Sequence, residues 1–135
     1  MACHIVRGIG GSQGPELTDV GDRRGSAFLR ESLVEPGATL PERPVPYEPN
    51  VYAGYLVVRT VARGGTEVVG ARVNEDSFTI QIRDVAGRLH SLRKADLQLL
   101  DKKQGSSLMP TYKATLAPAE IDDLVAYLMT LRVAP

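Results

Sequence analysis

The spacing of apolar residues changes character several times along the chain. Met1 to Pro15 follows neither a helical nor a strand period, and Gly8, Gly10, Gly11 and Gly14 mark it as loop. From Ser26 to Glu35, Ala27, Phe28, Leu29, Leu33 and Val34 fall near helical spacing. Ser26 suits the N-cap and Pro36-Gly37 the stop, which predicts one short amphipathic helix. Five of the nine prolines then lie between Pro36 and Pro49, a density that forbids regular hydrogen bonding and predicts a semi-rigid connector. After it the period becomes two. Tyr55 to Val61, a turn at Gly64-Gly65, and Glu67 to Val73 predict a hairpin; Ser77 to Arg83, a turn at Ala86-Gly87, and Leu89 to Leu92 add further strands. Four or five short strands predict a small antiparallel barrel or curled sheet. Lys102 to Tyr112 returns to irregular chain. The last element is the clearest helix, over 118–131: Pro118 fits the first position, Glu120, Asp122 and Asp123 fit the positive end, and Ile121, Leu124, Val125, Leu128 and Leu131 form an apolar stripe.

At 135 residues, with 43% hydrophobic positions, the chain has room for one domain carrying an insertion. Large core side chains are scarce, with no Trp, two Phe and five Tyr, so a bulky apolar cofactor would supply missing core volume. Sixteen basic residues balance sixteen acidic ones, which argues against a nucleic-acid partner and restricts any docking patch to a local feature. No apolar run approaches the roughly 20 residues a membrane span requires. The single cysteine has no partner within the chain, so Cys3 is inert, reactive or bonded to something else.

Cys3 and His4 are the first chemically informative pair. A cysteine thiol adds across a haem vinyl group, and an adjacent histidine is thereby delivered to the iron. The usual pattern is C-x-x-C-H, of which Met1-Ala2-Cys3-His4 supplies the last four positions. The glycines that follow, then Gly14-Pro15-Glu16-Leu17, and later Ser107-Leu108-Met109-Pro110 ahead of a helix with Tyr127-Leu128, resemble the cytochrome c family. The likeness covers Ala2 to Pro36 and Leu108 to Leu131, and is strongest to haem-binding cytochrome c domains of environmental bacteria that carry a β-module between the attachment site and the methionine.

The resemblance implies an α+β chain in which a cytochrome c-like helical haem domain (1–44 and 103–135), lacking its first helix, is interrupted by a small antiparallel β-barrel or curled-sheet insert (45–102). It implies one covalent haem c whose iron is bound by His4 and Met109, with Cys3 as tether and the Pro15 carbonyl accepting from the His4 ring. It also implies a periplasmic or exported electron carrier rather than an enzyme, working with a redox partner protein. Two departures from the family stand out. Nothing here precedes Met1, so a missing segment or another chain is expected to pack on the stripe from Ile121 to Leu131. The first attachment cysteine is absent, and one thioether is chemically sufficient.

Other residues admit plainer readings. His90 is expected as a hydrogen-bonded strand residue, Arg23-Arg24 as a helix entry or a partner for a haem propionate, and Arg93-Lys94 and Lys102-Lys103 as surface or as a dock for an acidic partner. The alternative function is a binding module in which the β-insert recognises a protein and the helices are scaffold. The strand pattern is also loosely similar to SH3-like or Sm-like barrels. An enzyme with Cys3 as nucleophile is disfavoured, because neighbouring Cys and His rarely face one another and no oxyanion-forming motif lies nearby.

Overall fold

The structure, a computed structural model, describes residues 3–40 and 55–133. The greater part of the proline-rich connector therefore lies outside the described residues, as does the start of the attachment pattern. The chain divides into two compact units: Thr39–Leu108, and a discontinuous unit made of Met1–Ala38 with Met109–Pro135. The sequence reading set the corresponding limits at 44/45 and 102/103.

In the discontinuous unit, two strands of two residues each, β1 (Ile5–Val6) and β2 (Ile9–Gly10), form an antiparallel ribbon. Its turn is Arg7-Gly8, both at positive φ (51° and 79°), the geometry of a tight hairpin whose twist matches its strands. One helical turn, α1 (Val20–Arg23), precedes α2 (Ser26–Val34), and α3 (Pro118–Thr130) closes the unit. Pro118 opens α3 without losing a hydrogen bond, since the first helical N–H groups have no intrahelical acceptor. The Glu120 carboxylate reaches back to accept from the Ala117 N–H at 2.7 Å. Val20 from α1, Leu29 and Leu33 from α2, and Ile121, Val125, Leu128 and Leu131 bury one another. Gly21 permits this packing: its N–H donates to the Leu131 carbonyl at 2.8 Å, and a Cβ there would collide with the Met129 carbonyl. Arg30 and Asp122 form an ion pair between α2 and α3.

The other unit is a five-stranded antiparallel sheet in the order β6-β5-β4-β3-β7. The strands are β3 (Val57–Ala62), β4 (Glu67–Glu75), β5 (Thr79–Asp84), β6 (Leu89–Arg93) and β7 (Leu97–Lys103). Alternation buries Val58, Ile80 and Ile82 completely, with Leu56, Val68, Leu92, Leu97 and Leu100 packed against them. Thr60 shares that face, and its hydroxyl donates to the Val68 carbonyl at 3.3 Å, so its burial leaves no orphan donor. Register shifts between Arg72 and Asn74, and between Val61 and Ala62, bend the sheet. A single 3-10 turn, Lys94–Asp96, joins β6 to β7.

The expected cytochrome c-like helical haem domain is overturned. The dominant element is strand, in a five-stranded sheet and a two-stranded ribbon, and the helices are few, so α+β describes the chain only loosely. The cause is local. Glycines and the Arg7-Gly8 turn make a ribbon where helix would be needed, and α1 ends after one turn before Gly25. The apolar stripe of α3 is buried against Val20, Leu29 and Leu33 of this same chain. Smaller corrections concern Ser26, which is the first helical residue behind a Gly25 cap, and β7, which runs to Lys103 through the stretch read as the start of irregular chain.

Candidate functional site

The residues singled out in the sequence fall on two segments of the discontinuous unit. Residues 14–17 run back beside the first strand: the Gly14 N–H donates to the Cys3 carbonyl at 2.7 Å and the Leu17 N–H to the Ile5 carbonyl at 2.9 Å. This places Pro15 against His4, whose Nδ1 lies 2.7 Å from the Pro15 carbonyl oxygen. A carbonyl only accepts, so Nδ1 is the donor, and in the neutral ring the lone pair is on Nε2. Gly14 is required by the same closeness, because a Cβ on it would run into the imidazole ring. Gly10 is required one step away, where a Cβ would strike the His4 carbonyl and φ is 130°. The imidazole is thus oriented from one side, with Nε2 making no hydrogen bond among the described residues. Cys3, immediately before it, is an exposed free thiol.

Thr18, which the sequence reading passed over, stiffens the ribbon. Its hydroxyl oxygen accepts from the Arg7 N–H at 2.8 Å and donates to the Glu16 carboxylate at 2.8 Å. The signal for it was a hydroxyl residue shortly after Gly14-Pro15-Glu16-Leu17, too common a pattern to stand out. Arg23 is occupied by Asp19 at 2.7 Å and by the Glu16 carbonyl at 2.7 Å, and Arg24 lies 4.6 Å above the Phe28 ring.

Met109 is half-buried and packs against the α1–α2–α3 core together with Tyr112 and Leu116. The segment behind it is sutured to the end of α2: Thr111 Oγ1 donates to the Val34 carbonyl at 2.7 Å and the Tyr112 N–H to the Leu33 carbonyl at 2.9 Å. These bonds satisfy carbonyls that a helix end leaves without partners. Met109 and His4 therefore belong to one compact unit, each held by its own backbone contacts.

His90 sits on β6, with Nε2 2.7 Å from Asp84 Oδ2. The His90 ring and the N–H groups of Arg88 and Ala86 hold the Asp84 carboxyl below its usual range. That arrangement closes the β5–β6 turn. Sequence reading also missed Glu75. Its carboxylate meets Lys94 at 2.8 Å, Lys102 at 2.8 Å and Arg72 at 3.0 Å, from three different segments of the sheet unit.

As a chemical set, Cys3, His4 and Met109 supply a thiol, an imidazole with a directed lone pair, and a thioether. That set fits a covalently tethered haem: thiol and imidazole are adjacent in sequence, and the imidazole tautomer is the one a metal accepts. Among the described residues, no group of three or more His, Cys, Asp or Glu is placed to hold a bare metal ion. No helix among them is long and apolar enough to cross a membrane. The chain matches no protein-family model and no curated protein.

Proposed function

We propose that this chain carries electrons through a single haem tethered at Cys3, with His4 and Met109 as axial ligands to the iron. The observation that carries the reading is the 2.7 Å approach of His4 Nδ1 to the Pro15 carbonyl, which fixes the tautomer and leaves Nε2 directed for a metal. Gly14 beside the ring and the exposed thiol of Cys3 support it. When bound, the haem supplies one-electron chemistry.

The polypeptide's own part is to orient. Pro15 holds the proton on Nδ1 of the neutral ring, and Gly10 and Gly14 let the backbone come close to His4. A Met109 thioether holding the group together with the His4 imidazole would favour its reduced form, which suits transfer of electrons rather than bond-making chemistry. A redox partner protein and an exported location belong to the same proposal, because the thioether link is made outside the cytoplasm. The test is the intact mass of acid-denatured protein produced alongside haem-attachment machinery. The expected result is one haem added per chain, lost in Cys3→Ser; unmodified polypeptide under those conditions overturns the reading.

A further inference from the structure

Among the described residues, one buried side-chain polar atom makes no hydrogen bond: Oε1 of Gln13. Taking such an oxygen out of water without supplying a donor costs its full desolvation, so an unpaired one in a native chain points to a partner outside the polypeptide. The rest of the amide is equally uncommitted. No hydrogen bond among the described residues engages Nε2, so a turn about the last side-chain torsion exchanges the carbonyl and NH2 ends without breaking one. Gln13 can therefore present an acceptor or a pair of donors to the same buried spot.

Its place in the chain indicates the partner. Gln13 directly precedes Gly14, whose N–H donates to the Cys3 carbonyl at 2.7 Å. Gly14 in turn lies against the His4 ring, where a Cβ would come within 3.0 Å of Nε2, the atom proposed to face the iron. A haem offers a polypeptide two polar elements, its iron and its propionate carboxylates, and the remainder is apolar ring. With the iron assigned to His4 and Met109, the propionates are what an amide at this position can meet. The cations that the sequence offered for a propionate are turned to other partners: Arg23 to Asp19 and the Glu16 carbonyl, Arg24 to the face of Phe28.

We infer that the Gln13 side chain donates an N–H to a haem propionate and acts as a positioning residue for the cofactor. The inference rests on the haem reading above and adds a polar contact to its tether and two iron ligands. A donor on the carboxylate draws off part of its negative charge, so the oxidised iron is stabilised less and the reduction potential stands higher.

The test compares the haem-loaded chain with Gln13→Met, which keeps the length and removes the donor, and Gln13→Lys, which restores a donor on a different shape. In resonance Raman spectra the propionate bending band should fall in Gln13→Met and be retained in Gln13→Lys, and the reduction potential should fall in the first and rise above the parent in the second. In the ¹⁵N-labelled parent, the Gln13 side-chain amide should shift when the iron changes oxidation state. This last measurement decides the matter where neither variant takes up haem. A side-chain amide that stays in place between oxidation states overturns the inference. So do a band and a potential unchanged in Gln13→Met, which would give the orphan oxygen to an ordered water, and a Gln13→Lys chain that behaves like Gln13→Met, which would make the role one of packing. A parent whose intact mass shows no covalent haem overturns the underlying reading, and this inference with it.

Discussion

Lys102 Nζ reaches Glu75 Oε2 at 2.8 Å although β3 runs between their two strands. The contact is possible because the register shift after Arg72 bends β4 over, and Lys94 meets the same carboxylate from the link between β6 and β7. Glu75 thus draws the rim of the curled sheet together. Burial pushes its carboxyl up, and the hydrogen bonds from Lys102, Lys94 and Arg72 more than offset that, bringing it from the ordinary 4.5 down to about 2.

The first prediction is a pH dependence. A carboxyl with a lowered folded value gives stability that is fully present above about pH 4.5 and is lost as pH falls through about 2. Urea unfolding followed by circular dichroism should show Glu75→Gln less stable than the parent by roughly 2 kcal/mol at pH 7, with the gap closing toward pH 2. A gap that stays constant with pH would mean that Glu75 acts through packing alone.

The proposed ligation by His4 and Met109 predicts two distinct phenotypes in a chain loaded with haem. His4→Ala should lose the low-spin spectrum, because no second imidazole lies in its unit: His90 is paired with Asp84 on the sheet. Met109→Ala should keep the covalent haem while its reduction potential falls, since the thioether favours reduced iron. An unchanged potential in Met109→Ala would remove that residue from the coordination sphere.

Gly14→Ala tests the orientation of His4 without any cofactor. The new methyl group would occupy the place of the imidazole, so the ring must turn and its bond to Pro15 must break. A ¹⁵N spectrum of the parent should show histidine protonated at Nδ1. The variant should show that state lost, with the chain still folded.

Two glycines near the helical core should differ sharply in what a methyl group costs. Gly21→Ala drives a methyl group into the Met129 carbonyl at the crossing of α1 and α3 and should cost about 2 to 3 kcal/mol. Gly25→Ala meets nothing within 4 Å and should cost only a few tenths of a kcal/mol. Thermal unfolding of the two variants side by side makes the comparison.

What could be read from the sequence depended on how long each pattern persisted. Helix α3 was legible nearly to its ends because Pro118, Glu120 and the stripe to Leu131 agree over more than three turns. The hairpin around Ala86-Gly87 was legible because Ile80 and Ile82 alternate with polar neighbours, and the one around Gly64-Gly65 because a glycine pair separates two strand-like runs. The ribbon was not, since two residues per strand show no period and one left-handed position belongs to Arg7 rather than glycine. Strand β7 was obscured by Leu97-Gln98-Leu99-Leu100, which breaks the alternation before Lys102 and Lys103. The stripe on α3 suggested a missing segment or another chain because the family it resembles packs a first helix there; Val20, Leu29 and Leu33 of this chain pack on it. At the site, Cys3, His4 and Pro15 were accessible as a local motif. The convergence on Glu75 was not, because it depends on residues from three segments meeting across a bent sheet.

The split unit also dictates an order of events on the ribosome. Its N-terminal portion ends at Ala38 and its remainder begins at Met109, so Val20, Leu29 and Leu33 are synthesised long before Ile121 and Leu128 exist to cover them. The intervening sheet unit is contiguous in sequence, and folding it first shortens the loop that must close before the halves meet. Until then the early helices expose their apolar faces, and a nascent chain stalled before α3 presents a surface suited to chaperones.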